Sequence, residues 1–112
     1  MQLKNTLLSV FLAACTKPAL ATIWLGKDSG NGAWVAWRTD PCKNPAPSFV
    51  SPGGDTNFCG WPFSISGVGT LSAEGCGAGL WLVQKPSNSF YANCQWQDVQ
   101  WQCGVHQYYV CG

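Results

Sequence analysis

Apolar and polar residues alternate over short stretches of this chain, and no stretch after residue 21 has the three-to-four-residue spacing of an amphipathic helix. Several segments are rich in aromatic and β-branched residues, which favour strands. They are 22–26, 33–38, 63–66, 80–84, 89–97, 99–103 and 105–110. Glycine and proline recur between them as turn signals. The pattern predicts an all-β fold, a small disulfide-stabilised antiparallel β-sandwich or barrel.

The connections between these segments differ in character. SGNG at 29–32 is typical of a hairpin connection, and KPSN at 85–88 of a tight turn. The segment 39–60 holds four prolines and a Gly-Gly pair, which predicts a long irregular loop. A bridge between Cys42 and Cys59 would close its base. Such a loop either carries function or is a passive crossover, and the residues leave both interpretations open.

Residues 1–21 have the three parts of a secretory signal peptide. Lys4 supplies the positive charge, 7–14 is a short apolar run, and ALA at 19–21 fits a small-x-small cleavage site. The apolar run is too short to span a bilayer. The alternatives are a membrane anchor and a lipoprotein signal that uses Cys15. We expect a cleaved leader and a secreted, extracellular protein.

The expected mature protein, 22–112, is one disulfide-rich β domain that contains six of the seven cysteines. An even number of cysteines in a short secreted chain indicates three disulfides. They would join Cys42, Cys59, Cys76, Cys94, Cys103 and Cys111 in a pairing that the sequence leaves open. Because a domain of this size buries a small core, we expect the bridges to be essential for folding.

Charge argues against several classes of partner. Lys4 and Lys17 lie in the leader, so four of the six basic side chains remain against five acidic ones, and the formal charge changes from +1 to −1. Nucleic-acid binding needs clustered basic residues, and a membrane-active protein usually has a cationic face. His106 is the only histidine and no cysteine pair has CxxC spacing, so no metal site is indicated. We expect no cofactor, no metal, no nucleic acid and no membrane span.

The stretch NCQWQDVQWQC, 93–103, reads almost the same in both directions. A two-residue turn at its centre would form a hairpin with Cys94 opposite Cys103 and Trp96 opposite Trp101. The alternative is a single strand bent by a β-bulge, because the central Asp-Val pair is poorly suited to a tight hairpin turn. We favour the hairpin.

All seven tryptophans lie in the expected mature domain, which is too small to enclose them all readily. Exposed aromatic residues mark binding surfaces, and we assign Trp24, Trp34 and Trp61 as candidate ligand-binding residues. A flat indole ring among Gln, Asn and Asp side chains suits the C–H faces and hydroxyls of sugars. The competing interpretation is that these tryptophans pack in the core.

A catalytic alternative uses the only glutamate of the mature chain, Glu74, with Arg38 and His106. Small fungal ribonucleases and ribotoxins use such a set: the carboxylate accepts the 2′-hydroxyl proton, the imidazole protonates the leaving oxygen, and the guanidinium stabilises the phosphate. None of the wider motifs of those enzymes is present. We keep a secreted RNase-like toxin as the alternative function.

The chain resembles the small secreted cysteine-rich proteins of filamentous fungi, of the effector-like class associated with virulence. The resemblance rests on the leader with Lys4, the six remaining cysteines and the β-rich body ending in YYVCG, 108–112. It implies a monomeric, non-catalytic binding protein. The partner would be a host protein or a cell-wall glycan, bound through the exposed tryptophans and the Pro-rich loop 43–58.

Overall fold

The computed structural model describes residues 20–43, 45–54 and 57–112. These residues form eight β-strands and no helix, which confirms the all-β prediction. The strands are β1 Ile23–Asp28, β2 Trp34–Trp37, β3 Ser48–Ser51, β4 Phe63–Ile65, β5 Gly69–Glu74, β6 Trp81–Gln84, β7 Ser89–Gln100 and β8 Val105–Cys111. The expected leader, apart from its last two residues, lies outside the described part of the chain.

The strands form one antiparallel sheet in the order β3-β2-β1-β8-β7-β6-β5-β4, nearly closed into a barrel. Its two edge strands meet along a seam. The Ser48 hydroxyl of β3 donates a hydrogen bond of 2.6 Å to the Ser64 carbonyl of β4. Nearby, the Arg38 guanidinium donates one of 3.1 Å to the Ser66 carbonyl. Contacts of this kind cover edges that would otherwise be free to pair with other chains.

Two apolar clusters stabilise the sheet, one on each face. The inner cluster fills the barrel with aliphatic side chains such as Ile23, Leu25, Leu71 and Leu82, all fully buried. The outer cluster is smaller and consists of Val35, Trp37 and Val105, with Trp24 and Trp101 packed against it. Side chains alternate between the faces of a strand, so β1 and β2 contribute to both clusters.

Three disulfides connect parts of the chain that are distant in sequence, which confirms their predicted number. They are Cys42–Cys103, Cys59–Cys76 and Cys94–Cys111. The bridge between Cys42 and Cys59 that would have closed the base of the loop 39–60 does not form. Cys42 joins the β2–β3 connection to the turn before β8, and Cys59 joins the β3–β4 connection to the loop after β5.

The hairpin predicted within 93–103 is also wrong, and the bulge alternative is right. β7 continues as one strand to Gln100, and its register against β8 shifts between Trp96 and Val99. Cys94 therefore lies opposite Cys111 rather than Cys103. The chain reverses two residues later, in the turn that includes Gly104. This glycine has a φ of 83°, a conformation that valine at the predicted turn would adopt only with strain.

The other local predictions are mostly confirmed. The turns at 29–32 and 85–88 connect β1 to β2 and β6 to β7. Two strands, β3 and β5, were not predicted from the sequence. β3 lies inside the predicted loop 39–60, where prolines just before and after it are compatible with an edge strand. β5 consists mainly of small and polar residues and owes its strand pairing to its neighbours on either side.

Candidate functional site

A groove opens at the end of the barrel where the β1–β2, β3–β4 and β5–β6 connections gather. Its volume is about 540 Å³, within the usual range for small-molecule sites. We call it the mouth groove. It is lined chiefly by Lys27, Trp34, Phe58, Trp96, Tyr109 and the glycine-rich loop 77–79.

The aromatic side chains of the groove form a continuous array. The Trp34 ring stacks on Phe58 with centroids 4.3 Å apart and planes inclined by 18°. Tyr108 lies 5.7 Å from the Trp34 centroid and 5.4 Å from that of Trp96. The rings of Tyr109 and Trp96 are perpendicular, with centroids 5.4 Å apart and planes inclined by 89°. The two consecutive tyrosines thus connect the two indoles.

A bulge in β8 explains why both tyrosines contact the aromatic side chains of the groove, which Tyr109 itself lines. Leu25 pairs with Tyr109, but the next residue, Gly26, pairs with Gln107, so Tyr108 has no partner on β1. An unpaired bulge residue interrupts the alternation of side chains. Gly26 is required at this position, because a Cβ atom there would lie 2.1 Å from the His106 carbonyl oxygen.

Trp96 is the most exposed tryptophan, with 62% of its surface accessible. Its ring is perpendicular to that of Tyr109, and most of its surface remains open to solvent. The sequence interpretation paired it with Trp101, but the β7 bulge sends the two indoles to opposite faces. Trp101 packs on the outer cluster, and its indole nitrogen donates a hydrogen bond of 3.2 Å to Gln107. A bulge in this stretch, which the sequence left open as the alternative to the hairpin, would have predicted that the two tryptophans lie on opposite faces.

Lys27 brings a positive charge to the groove wall. Its ammonium nitrogen lies 5.2 Å from the centroid of the Trp34 ring, in cation–π geometry. The pairing of β1 with β2 places these residues directly opposite each other, so their side chains share one face. Lys27 also pairs with His106 of β8, which continues the row of side chains across the sheet.

His106 belongs to a polar network beside the groove. Its Nδ1 lies 2.8 Å from Gln100 Oε1, and its Nε2 contacts Asp98 Oδ1. The Gln100 amide nitrogen donates to the carbonyls of Trp101 and Val105, which fixes the amide oxygen toward the imidazole. Both ring nitrogens thus face acceptor oxygens. The two contacts hold the imidazole ring in place from both of its nitrogens.

The three residues of the catalytic alternative lie in different surroundings. The Glu74 carboxylate accepts a hydrogen bond of 3.4 Å from Ser72, Arg38 contacts the seam at Ser66, and His106 contacts Asp98. No hydrogen bond or ion pair within 20–43, 45–54 and 57–112 joins any two of the three.

The three candidate tryptophans are also separated. Trp34 lines the mouth groove with Trp96, whereas Trp24 lies on the opposite face of the sheet. Trp61 is 40% exposed and follows the Cys59–Cys76 bridge, with its backbone amide 3.4 Å from the Phe58 carbonyl.

The Pro-rich loop 43–58 contributes Gly54, Asn57 and Phe58 to the groove. Its residues 44, 55 and 56 lie outside the described part of the chain.

The described residues contain no helix long and apolar enough to cross a membrane. They also contain no group of three or more His, Cys, Asp or Glu side chains placed to hold a metal ion. The three intramolecular disulfides are consistent with an oxidising, extracellular environment.

Fold and groove together define a disulfide-stabilised antiparallel β domain, nearly closed into a barrel, with an aromatic groove at its mouth. Comparisons with protein-family models, with curated proteins and with solved structures find no match for this chain.

Proposed function

We propose that this chain is a secreted, monomeric, non-catalytic binding protein that engages an extracellular target through the mouth groove. The observation that carries the proposal is the aromatic lining of the groove, Trp34, Phe58, Tyr109 and Trp96, with Trp96 largely exposed. A soluble domain gains nothing in stability from an indole left in water. Aromatic side chains at a concave site commonly dominate the energetics of binding.

Rigidity supports the proposal. The Cys59–Cys76 bridge ties together two connections that border the groove, and the Cys94–Cys111 bridge joins two of the strands beneath it. A site whose walls are already fixed loses little conformational entropy when it binds. The Pro-rich loop 43–58 reaches the same groove through Phe58, which stacks on Trp34.

Secretion is supported by the leader-like residues 1–21 and by the three disulfides. Origin in a fungus and a role as a virulence effector are proposed from the resemblance to small cysteine-rich fungal proteins. The target is accordingly a host protein or a cell-wall glycan.

The test uses the oxidised protein 22–112 in pull-down with insoluble chitin, insoluble β-glucan and immobilised extracellular host protein. Trp96→Ala is compared with Phe90→Ala, because both residues lie on β7 and Phe90 is 61% exposed. We expect one target class to retain wild type and Phe90→Ala but release Trp96→Ala. Equal retention of both variants, or no retention of wild type, would contradict the proposal.

The alternative is an RNase-like toxin that uses Glu74, Arg38 and His106. Incubating the same preparation with RNA tests it directly. RNA cleavage by wild type that is lost in His106→Ala, with folding intact by near-UV circular dichroism, would replace the binding proposal with the enzyme.

A further inference from the structure

We infer that the mouth groove binds a chain of pyranose sugars, with one sugar ring stacked on the open face of Trp96. This inference rests on the proposed function and narrows its target class from a host protein or a cell-wall glycan to a saccharide.

The orientation of Trp96 is the first argument. The rings of Tyr109 and Trp96 are perpendicular, which orients the indole, and 62% of the Trp96 surface remains accessible. The face of an aromatic ring carries partial negative charge. The C–H bonds on the flat side of a pyranose ring carry partial positive charge, so the two surfaces attract and also exclude water. An exposed indole whose orientation is fixed by its neighbour is therefore suited to a sugar ring.

The continuity of the aromatic array is the second argument. Trp34 and Trp96 both lie within 6 Å of the Tyr108 ring, on a wall that ends at Phe58. A row of rings offers several adjacent apolar surfaces to a linear chain of sugars. A single exposed tryptophan would hold only one ring.

The polar groups of the groove are the third argument. Asn57, Tyr109 and the backbone of the loop 77–79 provide uncharged donors and acceptors near the rings. A Cβ atom built on Gly77 or Gly79 meets nothing within 4 Å, so a ligand has room to approach this backbone. Sugar hydroxyls pair with groups of this kind. Among the described lining residues only Lys27 is charged, which disfavours a nucleic acid and its row of phosphates.

The shape of the site is the fourth argument. Specific protein interfaces usually bury about 800 Å² on each partner over a broad surface. The most exposed tryptophan, Trp96, lines a groove of about 540 Å³ together with Trp34, Phe58 and Tyr109. Concave sites of this size generally take small molecules or single chains. A protein target remains an outcome of the test.

The experiment titrates oxidised 22–112 with soluble chitohexaose and with soluble laminarihexaose, a β-1,3-glucan fragment, and follows binding by calorimetry and by tryptophan fluorescence. We expect at least one hexasaccharide to bind. Trp96→Ala should weaken that binding at least about tenfold, Trp96→Phe should weaken it less, and Phe90→Ala should leave it unchanged. Gly79→Gln places a long side chain in the groove, where it would obstruct a bound saccharide. It should also weaken binding, because its side chain enters open space without a positive φ to strain the fold.

The outcomes separate the two proposals. If neither hexasaccharide binds while the protein pull-down depends on Trp96, the inference is overturned and the proposed function stands. If a hexasaccharide binds with the same affinity to wild type, Trp96→Ala and Gly79→Gln, the groove is not the saccharide site and the inference is again overturned. If no saccharide and no protein binds in a Trp96-dependent way, both proposals fail. Near-UV circular dichroism and intact mass establish that each variant is folded and fully oxidised.

Discussion

The imidazole ring of His106 lies nearly parallel to the ring of Tyr108, with centroids 4.5 Å apart and planes inclined by 18°. Asp98 and Gln100 hold the imidazole from its two nitrogens. Tyr108 in turn lies between the two indoles of the mouth groove. His106 is therefore placed to position Tyr108, which contacts both indoles of the groove.

His106→Ala should loosen the aromatic wall with little loss of stability. The Asp98 carboxylate is exposed, and ion pairs at such sites contribute no more than about 1 kcal/mol. We expect a decrease of that size or less in the free energy of unfolding by urea, together with easier quenching of tryptophan fluorescence by acrylamide. Asp98→Asn is the control, because an amide oxygen can still accept from the ring nitrogen. A larger quenching change in Asp98→Asn than in His106→Ala would contradict the positioning role.

Trp34→Ala and Trp96→Ala should differ strongly in stability although both rings line the same groove. Trp34 is half-buried and stacked on Phe58, so its removal leaves a cavity and should cost about 2–3 kcal/mol. Trp96 is mostly exposed, so its removal should cost less than about 1 kcal/mol. Urea unfolding followed by circular dichroism measures both values. Equal costs would mean that the stack on Phe58 contributes nothing to stability.

The three disulfides should contribute unequally, because a cross-link restricts the unfolded chain more when it closes a longer loop. Cys42 and Cys103 are 61 residues apart, whereas Cys59 and Cys76 are 17 apart. Replacing the first pair by alanines should cost about 1 kcal/mol more than replacing the second. Thermal and urea unfolding of the two double variants give the comparison. The reverse order would show that native contacts, rather than loop length, determine the contribution.

We expect the free energy of unfolding to decrease in alkali because of the buried Tyr91 hydroxyl. Burial raises the pKa of its hydroxyl above the ordinary value of 10.0, although its hydrogen bond to the Ala21 carbonyl and the charge of Arg38 act in the opposite direction. The folded state therefore holds this proton more tightly than the unfolded state. The stability from this group is present below pH 10 and decreases as the pH rises through the folded pKa.

Tyr91→Phe tests this linkage in protein that begins at Leu20. The variant should lose about 1 kcal/mol at neutral pH, because the 2.7 Å hydrogen bond is gone, and should show a shallower decline above about pH 10. Urea midpoints across the alkaline range provide the measurement, with Tyr108→Phe as control. In protein that begins at Thr22 the acceptor carbonyl is absent, so the neutral-pH cost should be smaller. An identical alkaline decline in wild type and Tyr91→Phe would refute the effect.

Local chemistry accounts for the parts of the fold that the sequence predicted. The alternation around Trp24 and around Val35 predicted β1 and β2, and the glycines of 29–32 predicted the turn between them. The strand β3 was missed because its prolines, taken alone, indicate a loop. They are tolerated only because β3 lies at an edge of the sheet.

Of the two tryptophans that line the groove, the sequence assigned only one to binding, because the position of the other depends on pairing between strands. Trp34 was assigned to binding from its strand and its aromatic character, and it does line the groove. Trp96 was assigned to a hairpin because the repeat around it looks symmetrical. The bulge between Trp96 and Val99 breaks that symmetry, and it arises from pairing with β8 rather than from the residues of the repeat.

By itself, the sequence determined that this chain forms strands and three disulfides, because β-propensity, turn residues and cysteine number act locally or through composition. Only the tertiary structure decided which cysteines pair, where the strands bulge and which indoles meet in the mouth groove. Those outcomes depend on register between strands distant in sequence, and a one-residue shift in register moves a side chain to the opposite face of the sheet.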